Sequence, residues 1–363
     1  MLIYLRSTDL MPDPRIEKYI NWNEEKSISY KLVGWNRGNK KILKSNTIYF
    51  DKRSAYSSGY KNIFSLVLWN YFLLKTLIKQ NNTFQVIHAC DFDTVLPALI
   101  VKILFKKKVI FDIFDWYTDS RPIKNRFILL ILWYLEKLAL KKADYIILCE
   151  EEREKQLPIR LSSKKIAVLP NIPAFKTEYF ENIISNNILK LSYVGVLTRD
   201  RGLEDLLSVV SCFENLEIKI AGFGELEDMV SNYSSQFKNI IFLGKVNYEH
   251  GLAIMADSNI ICGMYYKTNK NHLYAAPNKY YESLVLGRPL LTTSGTLVGE
   301  KTLKGSSGFV IDEGTKPIHL FFSNINLKFI SEYGFNGRQL FLNEYSNKTR
   351  LFFENKYQKM ISS

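Results

Sequence analysis

Short apolar runs of four to six residues recur along the chain. Most are closed by a polar, acidic or glycine residue, and several are followed by a segment of helical period. In the first half such runs predict strands over 2–5, 28–33, 86–89, 108–112, 145–148 and 166–169, with helical patterns over 97–104 and 126–141 between them. The segment 171–190, with Pro173 and many polar residues, reads as a linker. A second series of predicted strands follows at 191–194, 217–221, 240–243, 260–263, 290–293 and 308–311. Alternation of this kind predicts an α/β chain of parallel, doubly wound sheets, here two Rossmann-like units in tandem. The expected division is 1–173, a linker over 174–190, 191–340, and a tail over 341–363. Ligands of such sheets bind at the carboxyl ends of the strands, which are expected to face one another across a cleft.

Length and composition agree with two cores. The chain has 363 residues, is 47% hydrophobic, and contains no low-complexity tract. Cysteines at 90, 149, 212 and 262 have no CxxC spacing, which argues against a zinc site or a disulfide scaffold and for a reducing compartment. The opening residues read as a first strand rather than a signal peptide. The longest apolar run, 127–135, is about half the length needed to cross a bilayer. A protein that does not span the membrane is therefore expected.

Charge changes this picture through its distribution. Of a net +13, residues 1–173 hold 29 Lys and Arg against 17 Asp and Glu, leaving 20 against 19 for the remainder. A basic first half fits attraction to an anionic membrane face or to nucleic acid. No recognition-helix or aromatic RNA-binding motif is present, so nucleic acid is not expected as a partner. The apolar run 127–135 reads as a buried helix. Lys106-Lys107-Lys108 and the cations Arg121, Lys124 and Arg126 are the part that favours a membrane surface.

Chemistry is expected at the strand ends. After the first strand of the second series come Gly195, Arg199, Arg201 and Gly202, a glycine turn and two cations ahead of a helix, which suits a phosphate. The pair Gly222 and Gly224 follows the next strand and reads either as a close approach to ligand or as a tight turn. In Ala276-Pro277-Asn278-Lys279-Tyr280-Tyr281-Glu282, Asn278 is expected to cap a helix whose first amides, with Lys279, face an anion. Glu282, about one turn on, is badly placed for phosphate. As a pure acceptor it suits a vicinal diol such as a ribose, and its bland alternative is stabilisation of the helix start through the macrodipole.

These residues resemble the GT-B fold glycosyltransferases, specifically the retaining group related to glycosyltransferase family 4, which builds bacterial polysaccharides and glycolipids. The resemblance runs through Asp13 to Lys18, Val86 to Pro97, Val109 to Trp116, Leu135 to Lys137, Ala143 to Tyr145 and Pro170-Asn171. In the second half it continues through Gly195 to Gly202, Gly222 to Gly224, Phe242 to Gly244, Pro277 to Glu282 and Gly287 to Pro289. It implies a UDP- or GDP-sugar donor and a lipid-linked saccharide or other glycan acceptor. It also implies retention of configuration, a peripheral place on the cytosolic face of the membrane, and a last helix crossing back to the first domain. The chain departs from the family at Tyr274, where the first of two spaced glutamates usually stands, at Val196 and at Cys90.

By this resemblance Arg201, Arg199 and the amides at Asn278 and Lys279 stabilise the diphosphate, and Glu282 binds the ribose. Arg15, His88, Asp91 and Asp115 are the polar groups of the acceptor side, with Asp91 or Asp115 orienting the hydroxyl. The structural alternatives are a helix cap for Asp91 and a satisfied core residue for His88. Asp91-Phe92-Asp93 has the spelling of a metal motif but falls in the acceptor domain, so no metal or other cofactor is expected to be required. A silent nucleotide-binding scaffold remains an alternative because of Tyr274. An epimerase of the same fold fits less well, since the four histidines at 88, 250, 272 and 319 seldom fall at strand ends.

Overall fold

A computed structural model describes residues 1–8, 10, 13–38, 46–53, 63–121, 123–173, 188–275 and 277–362. The chain divides into two compact units, Met1–Pro170 with Lys348–Ser363, and Asn171–Asn347. Of the expected linker, residues 174–187 lie outside the described residues.

The first unit runs β1 (Leu2–Arg6), α1 (Pro14–Glu25), β2 (Tyr30–Asn36), β3 (Thr47–Asp51), α2 (Ile63–Lys79), β4 (Val86–Cys90), α3 (Phe92–Phe105), β5 (Lys108–Ile113), α4 (Arg126–Lys142), β6 (Tyr145–Leu148) and β7 (Ile166–Val168). Its strands pair in parallel in the order β3-β2-β1-β4-β5-β6-β7. Strand periodicity sorts the side chains onto two faces. Ile3, Leu5, Ile87, Val109 and Phe111 pack under α2, α3 and α4, while Leu2, Tyr4, Val86 and Ile110 pack against α1 and the end of the chain. Asp13 starts α1 by accepting from the amides of Arg15 and Ile16, with Pro14 at the first helical position, where its missing N–H costs nothing. Asn125 caps α4 in the same way, through the amides of Phe127 and Ile128. The apolar run in α4 is not the buried helix that its composition predicts. Phe127, Leu130 and Tyr134 face solvent, and the inward face of α4 is supplied by Leu135, Ala139 and Leu140.

The second unit runs β8 (Leu189–Val196), α5 (Leu203–Val210), β9 (Leu216–Phe223), α6 (Glu227–Gln236), β10 (Ile240–Phe242), α7 (Tyr248–Ala256), β11 (Ile260–Gly263), α8 (Asn278–Leu286), β12 (Leu290–Thr293), α9 (Leu297–Lys304), β13 (Gly308–Ile311), α10 (Thr315–Asn324) and α11 (Lys328–Leu340). Its order, β10-β9-β8-β11-β12-β13, is that of a dinucleotide-binding sheet. In each unit the strand order reverses beside the first strand, between β1 and β4 and between β8 and β11. A crevice opens at such a reversal, so the residues ending those four strands are where chemistry is expected.

The tail is not the single helix that the sequence predicts. A π turn at Phe341–Tyr345 and another at Phe353–Tyr357 flank α12 (Lys348–Phe352), and α13 (Gln358–Ser362) ends the described chain. Residues up to Asn347 belong to the second unit, where Tyr345 is buried. From Lys348 the chain belongs to the first unit, where Phe353, Tyr357 and Met360 fill one face of the sheet.

Candidate active site

At the reversal of the second sheet, Gly195 is the last residue but one of β8, with φ +153°. A Cβ at this position would lie 2.7 Å from Lys279 Nζ, so the ammonium sits directly over the glycine. Lys279 reaches there from the first turn of α8, passing the edge of β11, where its Cδ lies 3.4 Å from the Cβ position of Gly263. Its Nζ stands 4.5 Å over the ring of Tyr193, whose hydroxyl is fixed by donation to the carbonyl of Val196 at 2.7 Å. Arg201 belongs to the same cluster, its guanidinium 4.5 Å over the ring of Tyr265. Burial, then the charge of Arg201, push the Lys279 ammonium down to about 8, against the opposing pull of Glu282. Two cations held together with little water are a pre-formed complement to a doubly charged anion.

Glu282 follows Lys279 on α8 and is buried. It lies beyond the first helical turn, so stabilisation of the helix start through the macrodipole does not account for it. Asn278 is the first helical residue rather than the cap. Pro277 occupies the cap position, and its side chain makes no capping hydrogen bond. A proline before Asn278 fixes the turn through its φ, and its carbonyl accepts from the amide of Tyr280 at 3.1 Å.

The structure separates Arg199 from this cluster. Its side chain is exposed and pairs with Glu204 at 2.5 Å. Gly222 and Gly224 pack against the neighbouring strand and turn: Cβ atoms there would meet the Gly195 carbonyl oxygen at 1.8 Å and the Leu197 carbonyl oxygen at 2.4 Å. They allow β8 and β9 to carry a glycine turn side by side, and so set the place of Gly195. Gly222→Ala is expected to cost about 1–3 kcal/mol after local relaxation. Its thermal melting temperature should fall relative to that of Gly244→Ala, where a Cβ meets nothing within 4 Å and only the φ of +65° is unfavourable. The loop holding Arg201 is tied down by Asp200, which accepts from Thr198 Oγ1 at 2.6 Å and Asn269 Nδ2 at 2.8 Å, with His272 Nε2 at 3.5 Å.

At the reversal of the first sheet, Arg6 ends β1 and Asp91 follows β4. Arg6 donates to Asp13 at 2.8 Å and to Asp91, and lies 4.0 Å over the ring of Phe114. Asp91 holds φ +63°, which costs a non-glycine residue on the order of 1–3 kcal/mol. It does not cap α3 with its side chain. Its Oδ1 accepts instead from the amides of Phe114 at 2.9 Å and Asp115 at 3.4 Å, beyond β5. Burial lifts its carboxyl to about 6, against the pull of Arg6. A strained, partly accessible carboxylate that titrates near neutrality can exchange a proton with a bound hydroxyl.

The other residues expected on the acceptor side are placed differently. Asp115 is half-exposed and pairs with the buried Arg153 at 3.1 Å. His88 and Arg15 lie beneath the rim in a closed polar network around Asp112. Arg15 donates to Asp112 through Nη2 at 2.7 Å and to the carbonyl of Leu169 through Nη1 at 2.7 Å. Tyr19 donates its hydroxyl to Asp112 at 2.8 Å, and His88 Nε2 lies 3.3 Å from the same carboxylate. His88 Nδ1 meets the hydroxyl of Tyr357 at 2.9 Å, which in turn meets that of Tyr4 at 2.8 Å. Burial lowers the imidazole, and the adjacent guanidinium holds Asp112 well below the usual carboxylate range in spite of burial. His88 is fully buried in this network and Arg15 nearly so, as a satisfied core pair rather than groups facing a ligand. His88, Cys90 and Asp112 bring donor atoms within 4.8 Å of one another, but the guanidinium already supplies the positive charge there.

Sequence reasoning passed over Arg6, Arg153, Tyr193 and Tyr265. Arg6 was accessible to the strand-end rule, since it closes the first predicted strand. The others act through contacts that spacing does not reveal.

Comparison with known proteins follows the same lines. No protein-family model matches the chain. It is 25% identical over 307 residues to an uncharacterized glycosyltransferase of Methanocaldococcus jannaschii, covering 76% of this chain and 74% of the relative. Among solved structures it is similar to sucrose-phosphate synthase from Thermosynechococcus elongatus, with a TM-score of 0.73 at 14% identity over 100% of both chains. The protein has the GT-B fold. Anabaena HepE, solved in complex with UDP and glucose, matches this GT-B chain with a TM-score of 0.69 at 13% identity over 99% of this chain and 100% of that one. The glycosyltransferase relative agrees with the expectation of a transferase. No helix among the described residues of the GT-B chain is long and apolar enough to cross a membrane.

Proposed function

We propose that this protein is a retaining glycosyltransferase of the family 4 type. In this reading it moves a sugar from a UDP- or GDP-sugar to a lipid-linked saccharide or other glycan, at the cytosolic face of a membrane, in cell-surface polysaccharide assembly. The observation that supports this most is the cluster at Gly195, where Lys279 and Arg201 stand together at the sheet reversal and Glu282 follows Lys279 on α8. The two cations and the amides of Asn278 and Lys279 bind the diphosphate, and Glu282 accepts from the ribose hydroxyls.

Breaking the bond between sugar and diphosphate develops negative charge on the leaving phosphate and positive charge at the anomeric carbon. Lys279 and Arg201 offset the first of these, in place of a metal. The leaving phosphate takes the proton of the incoming hydroxyl on the same face, so configuration is retained. Asp91, fixed by Arg6 and the amides after β5, orients that hydroxyl.

Thermal stabilisation tests the donor site. Saturation by its own nucleotide at about a hundred times Kd adds roughly 2.7 kcal/mol, a rise of about 5–10 °C for a domain of this size. UDP and GDP are expected to differ in this shift, which identifies the base. Glu282→Ala is expected to weaken the better nucleotide about 10- to 100-fold by loss of hydrogen bonds to a charged acceptor. Unchanged affinity in calorimetry would overturn the assignment of Glu282 to the ribose.

A further inference from the structure

We propose that the outer face of the α2–α3–α4 layer inserts into the headgroup region of an anionic lipid bilayer. The three helices cover one face of the first sheet with their inward residues. What they turn outward is also apolar. On α4 the exposed stripe is Phe127, Leu130, Ile131 and Tyr134, at the spacing of one helix face, with Phe127 71% and Leu130 62% exposed. On α3 it continues with Ile100, Ile103 and Leu104, and on α2 with Phe64, Val67 and Tyr71. Of the twenty-five large hydrophobic residues exposed among the described residues, thirteen lie on these three helices. Such a concentration is far from the scattered exposure of an ordinary surface.

Charge decides the kind of partner. The three helices contain two carboxylates, Asp93 and Glu136, and both are buried on the inward side. Glu136 accepts from the amide and hydroxyl of Thr118 at 3.1 and 2.8 Å. The outer face therefore presents apolar groups without a single acid, while cations rim it. Lys124 and Arg126 stand at the start of α4, Lys141 and Lys142 at its end, and Lys106 follows α3, all exposed. Trp133 lies beside Lys137, whose Nζ is 4.9 Å over its ring. A protein partner of mixed charge would leave this rim unmatched, whereas anionic headgroups meet the cations as the acyl boundary meets the stripe. Trp133, Tyr134 and Tyr71 are side chains that favour that boundary. This surface is independent of the nucleotide reading, since none of its residues belongs to the cluster at Gly195.

Flotation with vesicles of phosphatidylcholine alone, or with added phosphatidylglycerol, tests the proposal. The full-length protein is expected to float with the anionic vesicles, with a blue shift of emission that Trp133→Phe removes. Raising salt to about 0.5 M should weaken the binding without abolishing it, because screening acts on the rim and not on the stripe. The double substitution Leu130→Glu and Tyr134→Glu, at exposed positions, should lower binding at least about tenfold with an unchanged melting curve and unchanged UDP or GDP affinity. Failure of the wild type to float, or equal flotation of the double variant, would overturn it. So would self-association of the wild type in solution that the same substitutions disperse, since the face would then belong to a second copy.

Discussion

Methionine at position 15 is expected to cost the first unit about 3–5 kcal/mol at neutral pH. The carboxylate of Asp112 is fully buried, and Arg15 supplies its countercharge together with a two-point hydrogen bond. Removal of the guanidinium leaves that charge with the Tyr19 hydroxyl and a neutral imidazole, and stranding one member of a buried pair has this order of cost. Urea denaturation of the variant and of Arg15→Met/Asp112→Asn provides the measurement. The double variant should recover most of the loss, because a neutral amide no longer needs a countercharge. The pH dependence has a definite sign. Arg15 holds the folded pKa of Asp112 below its unfolded value, so this contribution is present above pH ~4 and is lost as pH falls below it. In Arg15→Met the carboxyl moves up and is neutralised at higher pH. The gap between variant and wild type should therefore narrow from pH 7 towards pH 4.5. A gap that stays constant would show that Arg15 acts through packing alone.

Lys279→Ala is expected to lower kcat/KM with the better nucleotide-sugar about 100- to 1,000-fold, the size of effect seen when one pre-placed electrostatic group is removed from a reacting centre. Arg201→Ala should have a similar effect. Arg199→Ala, which removes an exposed pair with Glu204, should stay within about threefold of the wild type. The ammonium of Lys279 is pushed down to about 8 by burial and by Arg201, so the free enzyme loses its proton as pH rises through that value. Nucleotide affinity should fall over the same range, and Lys279→Arg should flatten that limb, because a guanidinium stays charged. Equal losses for Arg199→Ala and Lys279→Ala would sink the distinction between the two cations.

Much of the fold is legible in the sequence where local pattern and tertiary burial agree. The runs at 145–148, 260–263, 290–293 and 308–311 become strands with those same bounds; the first three are short apolar segments largely buried in a parallel sheet, and the last is a half-buried edge strand. Of the elements that escape, two do so for opposite reasons. β3 is a half-buried edge strand, and its Thr-Ile-Tyr-Phe-Asp lacks a strong apolar signal. α2 is apolar almost all round, so the outward stripe hides the period that marks a helix. The α8 segment shows in its sequence both the lysine and the glutamate of the candidate site. Its contacts with Gly195 and Arg201 come from strand order. In the first unit, Arg6 meets Asp91 across 85 positions and Arg15 meets Asp112 across 97. Pairings of that range follow from which strands become neighbours, and spacing along the chain does not encode them.

The sixteen residues from Lys348 onward complete the core of the unit in which Met1 begins, through Phe353, Tyr357 and Met360. During synthesis on the ribosome, that unit must wait with one side of its sheet covered by α1 alone until translation has finished the entire second unit. Its earliest-made strands are thus the last to be sealed, and a premature stop anywhere before codon 353 would harm the beginning of the protein as much as its end.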